Sequence, residues 1–390
     1  MHRLVKQTYL VILCLILSAC SQKETQFSEF PGFDTYLEKF PPTDVLPTAK
    51  EQALLQQYRP RVFMAEGQTR FLDFYADYIA HGELYDKGKL ISDSATPQLL
   101  NQYKNSFAAE FRHQPQADKS SPSIYGRVDY DTLKHKDQQF PLTFLSYNLA
   151  FAHSGLLKGL TSWQQILMGI VGDNSDWHQL DHYVGMSVAL HANKPVAVLL
   201  QQHNYQTVWL LDTKANNTQT MGKSPSITNS SVIPIPEDNR ISVDVAMQSN
   251  ELYLHSPDLV NHPSASFVGE DNLEFLKTGK NMPTMAGFDI THGQQEQEYT
   301  LKFLPTADAF YTFKGRLGEK RSMPGRDGPP GAQYVTLPEL LPWSHRFVAG
   351  FRPGTVDQEK AKIATLFAGE KFEIEDSALD QYRQDFIDAM

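Results

Sequence analysis

Cysteine is nearly absent from this 390-residue chain, which has two, Cys14 and Cys20, both within its first twenty positions. With those lost or modified, nothing remains for a disulfide, a thiolate nucleophile or a Cys-ligated zinc, and stability must come from packing. Long apolar runs are as scarce. Tyr9 to Leu17 (YLVILCLIL) is one, far short of the ~20 residues of a membrane-spanning helix. Basic charge is in deficit: 35 Lys and Arg stand against 45 Asp and Glu, for a net charge of −10. That excess argues against nucleic acid, or an acidic lipid surface, as a general partner. Neither G-x-S-x-G, a P-loop nor G-x-G-x-x-G occurs, which removes the signatures of α/β-hydrolases and of nucleotide binding. No repeat recurs at solenoid or propeller periods.

What is there begins with a basic segment, Met1-His2-Arg3-Leu4-Val5-Lys6, then the short apolar run, then Leu17-Ser18-Ala19-Cys20. Basic flank and apolar core together have the form of a secretion signal. The closing tetrapeptide resembles the lipobox of bacterial lipoproteins in all four positions. That resemblance implies a signal peptide over residues 1–19 and a mature chain beginning at Cys20. It also implies a diacylglyceryl group on the Cys20 sulfur and a further acyl group, palmitate for example, on its freed amine. Several acyl chains anchor stably where one is marginal. Ser21 resembles the residue of lipoproteins sent to the outer membrane, so the implied partner is that membrane, held through the lipid. Loss of Arg3 and Lys6 leaves the mature chain near −12.

Residues 20–47 contain Pro31, Pro41, Pro42 and Pro47 and read as a tether. A globular domain then follows in three parts. Over 48–120 the pattern is helical: Thr48 with Glu51 forms a capping box for a helix to Gln57, and helices are expected over Phe71–Tyr85 and Thr96–Phe111. Arg61–Met64 reads as a short strand. Over 121–340 it is β-rich, with strands expected at Ile124–Tyr130, Leu142–Ala152, Tyr183–Leu190, Pro195–Leu211, Ile241–Leu254, Tyr299–Leu304 and Phe310–Phe313. One amphipathic helix, carrying Leu156, Leu160, Trp163, Leu167 and Ile170, interrupts them. Over 341–390 helices return at Thr355–Ala368 and Ser377–Met390. The expected class is α+β, mainly β: a β-sandwich-like core with helical additions at both ends.

The most chemically loaded segment is Gly172-Asp173-Asn174-Ser175-Asp176-Trp177-His178-Gln179-Leu180-Asp181-His182-Tyr183. Its carboxylates and imidazoles, with His203 on the next expected strand, form a thiolate-free oxygen/nitrogen set. Such a set suits Ca²⁺, Mg²⁺, Mn²⁺ or Zn²⁺. Strict alternation puts His182, Val184, Met186, Val188 and Leu190 on one strand face. Asp-Asn-Ser-Asp is equally ordinary turn chemistry, and Asp181 beside His182 equally suits the orientation of a buried imidazole. Further on, Lys314, Arg316, Lys320, Arg321 and Arg326 form a basic patch around a Gly/Pro loop (Gly318–Gly331), suited to a phosphate, a lipid headgroup, an anionic glycan or plain solvation.

Gly172 to His178 resembles the heptapeptide signature of the necrosis-and-ethylene-inducing-like proteins, with Gly172, Asp176 and Trp177 identical. It is also similar to the strand opening of the vacuolar-sorting-protein-sixty-two-like family, as is Leu142–Asn148 (LTFLSYN) to the aromatic strand before it. Both families imply a β-sandwich. The first implies a divalent ion held at Asp173, Asp176 and His178. His203 falls where both families place a His after the following strand, and the second register, through Asp181-His182-Tyr183-Val184, would move the site. Two readings follow. One is a lipid-anchored, non-catalytic protein whose sandwich binds a protein or glycan and uses any ion structurally. The other is a metal-assisted hydrolase in which Asp173, Asp176 and His178, joined by His182 and His203, hold an ion that activates water.

Overall fold

A computed structural model describes residues 41–68, 70–114, 121–135, 137–155, 176–201, 206–212, 232–255, 295–321, 326–329, 384, 387, 388 and 390. Strands make up 44% of the structure and helices 16%, so the fold is α+β and mainly β, with its sheets packed as a sandwich.

Helix α1 (Ala49–Gln57) starts where the capping box puts it: the Thr48 side chain accepts from Glu51 N–H, and the Glu51 carboxylate accepts from Thr48 N–H at 2.6 Å. Strand β1 (Arg61–Met64) follows. The expected helix over Phe71–Tyr85 is reduced to a π turn at Phe74–Tyr78 and a 3₁₀ turn at Ile79–His81, and the chain then extends into β2 (Gly82–Asp86). Asp73 caps the turn by accepting from Tyr75 and Ala76 N–H. Burial opposes the Asp73 charge, but the Ala76 N–H, Lys302 and Ser123 outweigh it and hold the carboxyl below its usual range. A β-carbon at Gly82 would overlap the Phe111 ring, so only glycine lets β2 lie there.

Strand β3 (Lys89–Ser92) completes a hairpin with β2. The expected helix over Thr96–Phe111 is likewise split, into α2 (Pro97–Tyr103), with Thr96 as N-cap, and β4 (Ala109–His113). Ala109, Phe111 and His113 alternate inward on β4, a period-two pattern that a helix could not satisfy. Long strands β5 (Ser123–His135), β6 (Gln138–Ser154), β7 (His178–His191), β8 (Lys194–Gln201) and β9 (Gln206–Asp212) occupy their expected positions. Short strands β10 (Val232–Pro234), β11 (Ser242–Val245), β12 (Leu252–Leu254), β13 (Gln295–Glu296) and β14 (Thr300–Phe303) precede α3 (Ala309–Thr312). That last helix replaces the strand expected at Phe310–Phe313. Asp308 caps it, and all four of its residues are buried, so its run of apolar residues reflects enclosure rather than β structure.

The large sheet runs β10-β9-β8-β7-β6-β5-β14, antiparallel inside and parallel at both edge pairs. A four-stranded sheet, β12-β11-β1-β13, covers one face. The core between them joins Val62, Met64, Val243, Val245 and Leu252 to Leu145, Tyr147, Leu149, Met186, Val188 and Val198. On the opposite face, near one end, a second core collects Phe74, Tyr78, Leu84, Leu100, Phe111, Tyr125, Ala150, Leu180 and Phe310. The small sheet β3-β2-β4 and the short helices build this third layer.

The β6–β7 register shifts by one between Tyr147 and Asn148: Tyr147 lies opposite Met186, but Asn148 lies opposite Val184 and Ala150 opposite His182. The shift falls at Gly185, where a β-carbon would press on Leu149 and on Leu252 of the facing sheet. Strict alternation through β7 is therefore corrected. Positions 182 and 184 do not continue the row of Met186, Val188 and Leu190, because a bulge resets the period. The amphipathic helix expected over 156–170 and the helix over 355–368 lie outside the described residues, as do all but four positions of 377–390.

Candidate functional site

The constellation flagged in the sequence lies where β6 ends and β7 begins. Trp177 N–H donates to the Ser154 carbonyl at 2.7 Å, His178 sits opposite Ser154, and Gln179 sits opposite His153. Leu180, fully buried, has φ +53. For a branched, bulky residue this is strained backbone, of order 1–3 kcal/mol, which the surroundings must hold.

The surroundings do so with side chains from far along the chain. The Gln179 amide forms a three-way tie. Its Oε1 accepts from His113 N–H (3.3 Å) and from Glu319 N–H (2.9 Å), and its Nε2 donates to the His113 carbonyl (3.1 Å). The basic loop closes over the same point. Leu317 N–H bonds to the Pro329 carbonyl and Gly328 N–H to the Glu319 carbonyl. Gly318 and Gly328 meet backbone to backbone beside Gln179, and a β-carbon on either would overlap the other. Within this loop Arg321 Nη2 lies 3.0 Å from both Asp176 carboxylate oxygens, while its Nη1 donates to the Asp176 and Trp177 carbonyls at 2.6 and 2.9 Å. Arg326 donates to the same two carbonyls, and its guanidinium lies 4.9 Å over the Trp177 ring. Two cations therefore grip the Asp176-Trp177 dipeptide. The basic patch expected to be solvated, or to face an anion, is turned inward at Arg321 and Arg326.

Of the residues expected at a metal site, Asp176 faces Arg321, and His178 is half-buried with Nδ1 3.4 Å from the Gln179 carbonyl. His182 is described by its backbone register alone. Asp173, His203 and Cys20 lie outside the described residues. Among the described residues no three His, Cys, Asp or Glu side chains converge as metal ligands. The Asp176 carboxylate, 44% exposed, has the Arg321 guanidinium as its described partner. Asp181 is buried and accepts from Asn250 Nδ2 at 2.7 Å.

Sequence reasoning missed His113 and the pair Asp244–His255. The His113 ring stacks on Tyr78 at 4.4 Å between centroids, and its Nδ1 donates to the Tyr78 carbonyl at 3.1 Å. Its pKa is lowered to about 4, chiefly by burial and also by His81 and His153, against the opposing Tyr78 carbonyl and Asp77. In the unfolded chain the imidazole takes its proton near pH 6.5, so folding strength falls as pH drops from about 6.5 to about 4 and this loss levels off below. The size is roughly 3 kcal/mol, read as the change in urea midpoint between pH 7 and pH 4. His113→Asn, which keeps a donor to Tyr78, is expected to remove most of this dependence; an unchanged profile would show that another group carries it.

The imidazole of His255 is 2.8 Å from the fully buried Asp244 carboxylate and stacks on Phe63 at 4.0 Å. Asp244 lies opposite Tyr253, two residues before His255, so the β11–β12 pairing brings the two together. Nothing in their spacing announces this pair.

Comparisons with protein-family models, with curated proteins and with solved structures find no match for the chain. What fold and site define is a class, a sandwich-like, mainly β protein. The segment of it richest in polar groups is bound into a cross-chain tie.

Proposed function

We propose that this protein is a lipid-anchored bacterial lipoprotein, attached to the outer membrane through Cys20, whose sandwich domain binds a protein or glycan partner. The observation that carries the reading is the ordered set at the start of the sequence: basic flank, nine-residue apolar run and Leu17-Ser18-Ala19-Cys20. Among the described residues no helix is long and apolar enough to cross a membrane, so in this reading attachment rests on the acyl chains. A binding role draws support from the tie itself. Arg321, Arg326 and Gln179 hold the Asp176-Trp177 turn and the strand start around a strained Leu180 in one shape, which suits a surface that must be presented rigidly. Asp176 has a counter-cation within the chain in Arg321.

Expression in a Gram-negative bacterium tests the anchor. Mass spectrometry of the mature N-terminus should find Cys20 acylated and residues 1–19 removed. Cys20→Ala should accumulate at precursor size and take up no labelled palmitate. A mature chain cut elsewhere, or acylation that survives Cys20→Ala, would overturn the assignment.

A further inference from the structure

Among the described residues six large hydrophobics are exposed: Val45, Leu46, Leu90, Ile91, Phe107 and Tyr130. All but Tyr130 lie along one run of contacts. Thr43 is fixed on Ala307, whose N–H donates to the Thr43 carbonyl at 3.0 Å; Val45 and Leu46, 71% and 49% exposed, come directly after it. The Lys104 ammonium reaches the Ala307 carbonyl, and Lys314 N–H donates to the Lys104 carbonyl at 2.8 Å. The Lys314 ammonium lies 5.5 Å over the Phe107 ring. Next to Phe107, the Ala108 carbonyl accepts from Lys87 N–H at 3.3 Å. Lys87 and Gly88, with φ +50 and +74, turn the β2–β3 hairpin, whose outer strand carries Lys89, Leu90 and Ile91. Four lysines accompany these apolar side chains. Of the nearby acids, Asp86 accepts from Ser106 Oγ at 2.5 Å, Asp308 is engaged by Tyr75, Asn101 and the α3 cap, and Asp44 and Asp93 are exposed.

We infer that this tip, the β2–β3 hairpin with Phe107 and the segment after Thr43, is a membrane-docking surface. Its occupant is the anionic phospholipid face of the bilayer that holds the anchor. The inference rests on the lipoprotein reading, and two observations favour this occupant. Thr43 lies 23 residues after Cys20, so a lipid at Cys20 keeps the Thr43 side of the domain within at most ~80 Å of the bilayer. In addition, lysines beside exposed Phe, Leu and Ile are the pairing that interfacial segments use: the rings and aliphatic chains enter the headgroup boundary and the lysines are attracted to anionic lipid. The net charge of the mature chain, near −12, opposes approach by the rest of the surface, so the tip sets the orientation.

The scarcity of cysteine supplies the test. In the full-length protein purified from membranes, with Cys20 acylated, Leu90→Cys or Phe107→Cys introduces a single labelling site, and Glu237→Cys, on an exposed turn before β11, is the reference. Where Cys20 is not acylated, the same three substitutions are made in a Cys14→Ala, Cys20→Ala chain. Each variant, carrying an environment-sensitive fluorophore, is reconstituted in phosphatidylcholine vesicles containing phosphatidylglycerol and a nitroxide-labelled lipid. Quenching at 90 and 107 should exceed that at 237 several-fold and fall to the reference level when Lys87→Glu and Lys89→Glu are added. Equal quenching at all three positions overturns the docking surface. The anchor is read separately, from the acyl mass on Cys20. If that mass is absent, the protein is mixed with the same vesicles at high lipid concentration, and quenching at 90 and 107 above 237 still supports docking while its absence still rejects it.

Discussion

Asp129→Ala is expected to lower folding stability by about 3–5 kcal/mol, because it removes the carboxylate partner of a buried guanidinium. Arg127 and Asp129 are 5% and 8% exposed, with Nη2 2.8 Å and Nε 3.0 Å from the same carboxylate oxygen. They lie on the face of β5 that also carries Tyr125, opposite the face of Ile124, which enters the main core. Neighbouring strands continue a polar row: Ser146 lies opposite Arg127, Ser187 opposite Ser146, and the two hydroxyls bond at 3.0 Å. The Arg127 guanidinium also lies 5.2 Å over the Tyr311 ring. An apolar replacement of both partners, Arg127→Met with Asp129→Leu, should recover most of the loss, since well-packed apolar pairs often equal a buried ion pair. Denaturant titration of the two variants decides the matter. A single-variant loss below about 1 kcal/mol would mean that water solvates the pair.

Phe310→Ala should cost a similar amount, about 3–5 kcal/mol. Its ring, fully buried, lies 4.9 Å from Phe74, 4.6 Å from Tyr125 and 4.7 Å from Tyr311. These neighbours come from the π turn, from β5 of the large sheet and from α3 itself, so the cavity would open where the third layer meets the sheet. Phe310→Leu, which keeps much of the volume, should cost under about 1.5 kcal/mol. Thermal unfolding followed by near-ultraviolet circular dichroism reads both. Equal melting of the Ala and Leu variants would show that the site collapses on its own, and would remove Phe310 from the joint.

Local chemistry was legible where it acts within a few residues. Thr48 and Glu51 announce α1 because the bonds that start the helix are made by those two residues. Alternation and β-branched content announce β5 to β9, because a half-buried strand imposes period two on its own sequence. Failures occurred where a distant partner sets the outcome. Phe71–Tyr85 and Thr96–Phe111 have helical spacing, yet Gly82 and Phe111 meet across β2 and β4, and that contact converts both segment ends to strand. Phe310–Phe313 has the composition of a strand, but enclosure on every side made a buried helix equally apolar. The Asp176–Gln179 segment was recognised as special from its density of polar groups. Its partners, Arg321 and Arg326, were seen as a separate patch more than 140 positions away.

By itself, then, the sequence determined the anchor expectation at Cys20, the thiol-free chemistry of the remainder, the mainly β class and the position of the long strands. Each follows from residue type and short-range periodicity. Tertiary structure alone decided that Gly185 carries a bulge, that Gln179 joins three segments, that Asp176 faces a guanidinium, and that Asp244 meets His255. The reason is physical. A side chain's charge state and partner depend on what lies within a few ångströms, and in a three-layer sheet protein those neighbours come from strands and loops that sequence distance does not order.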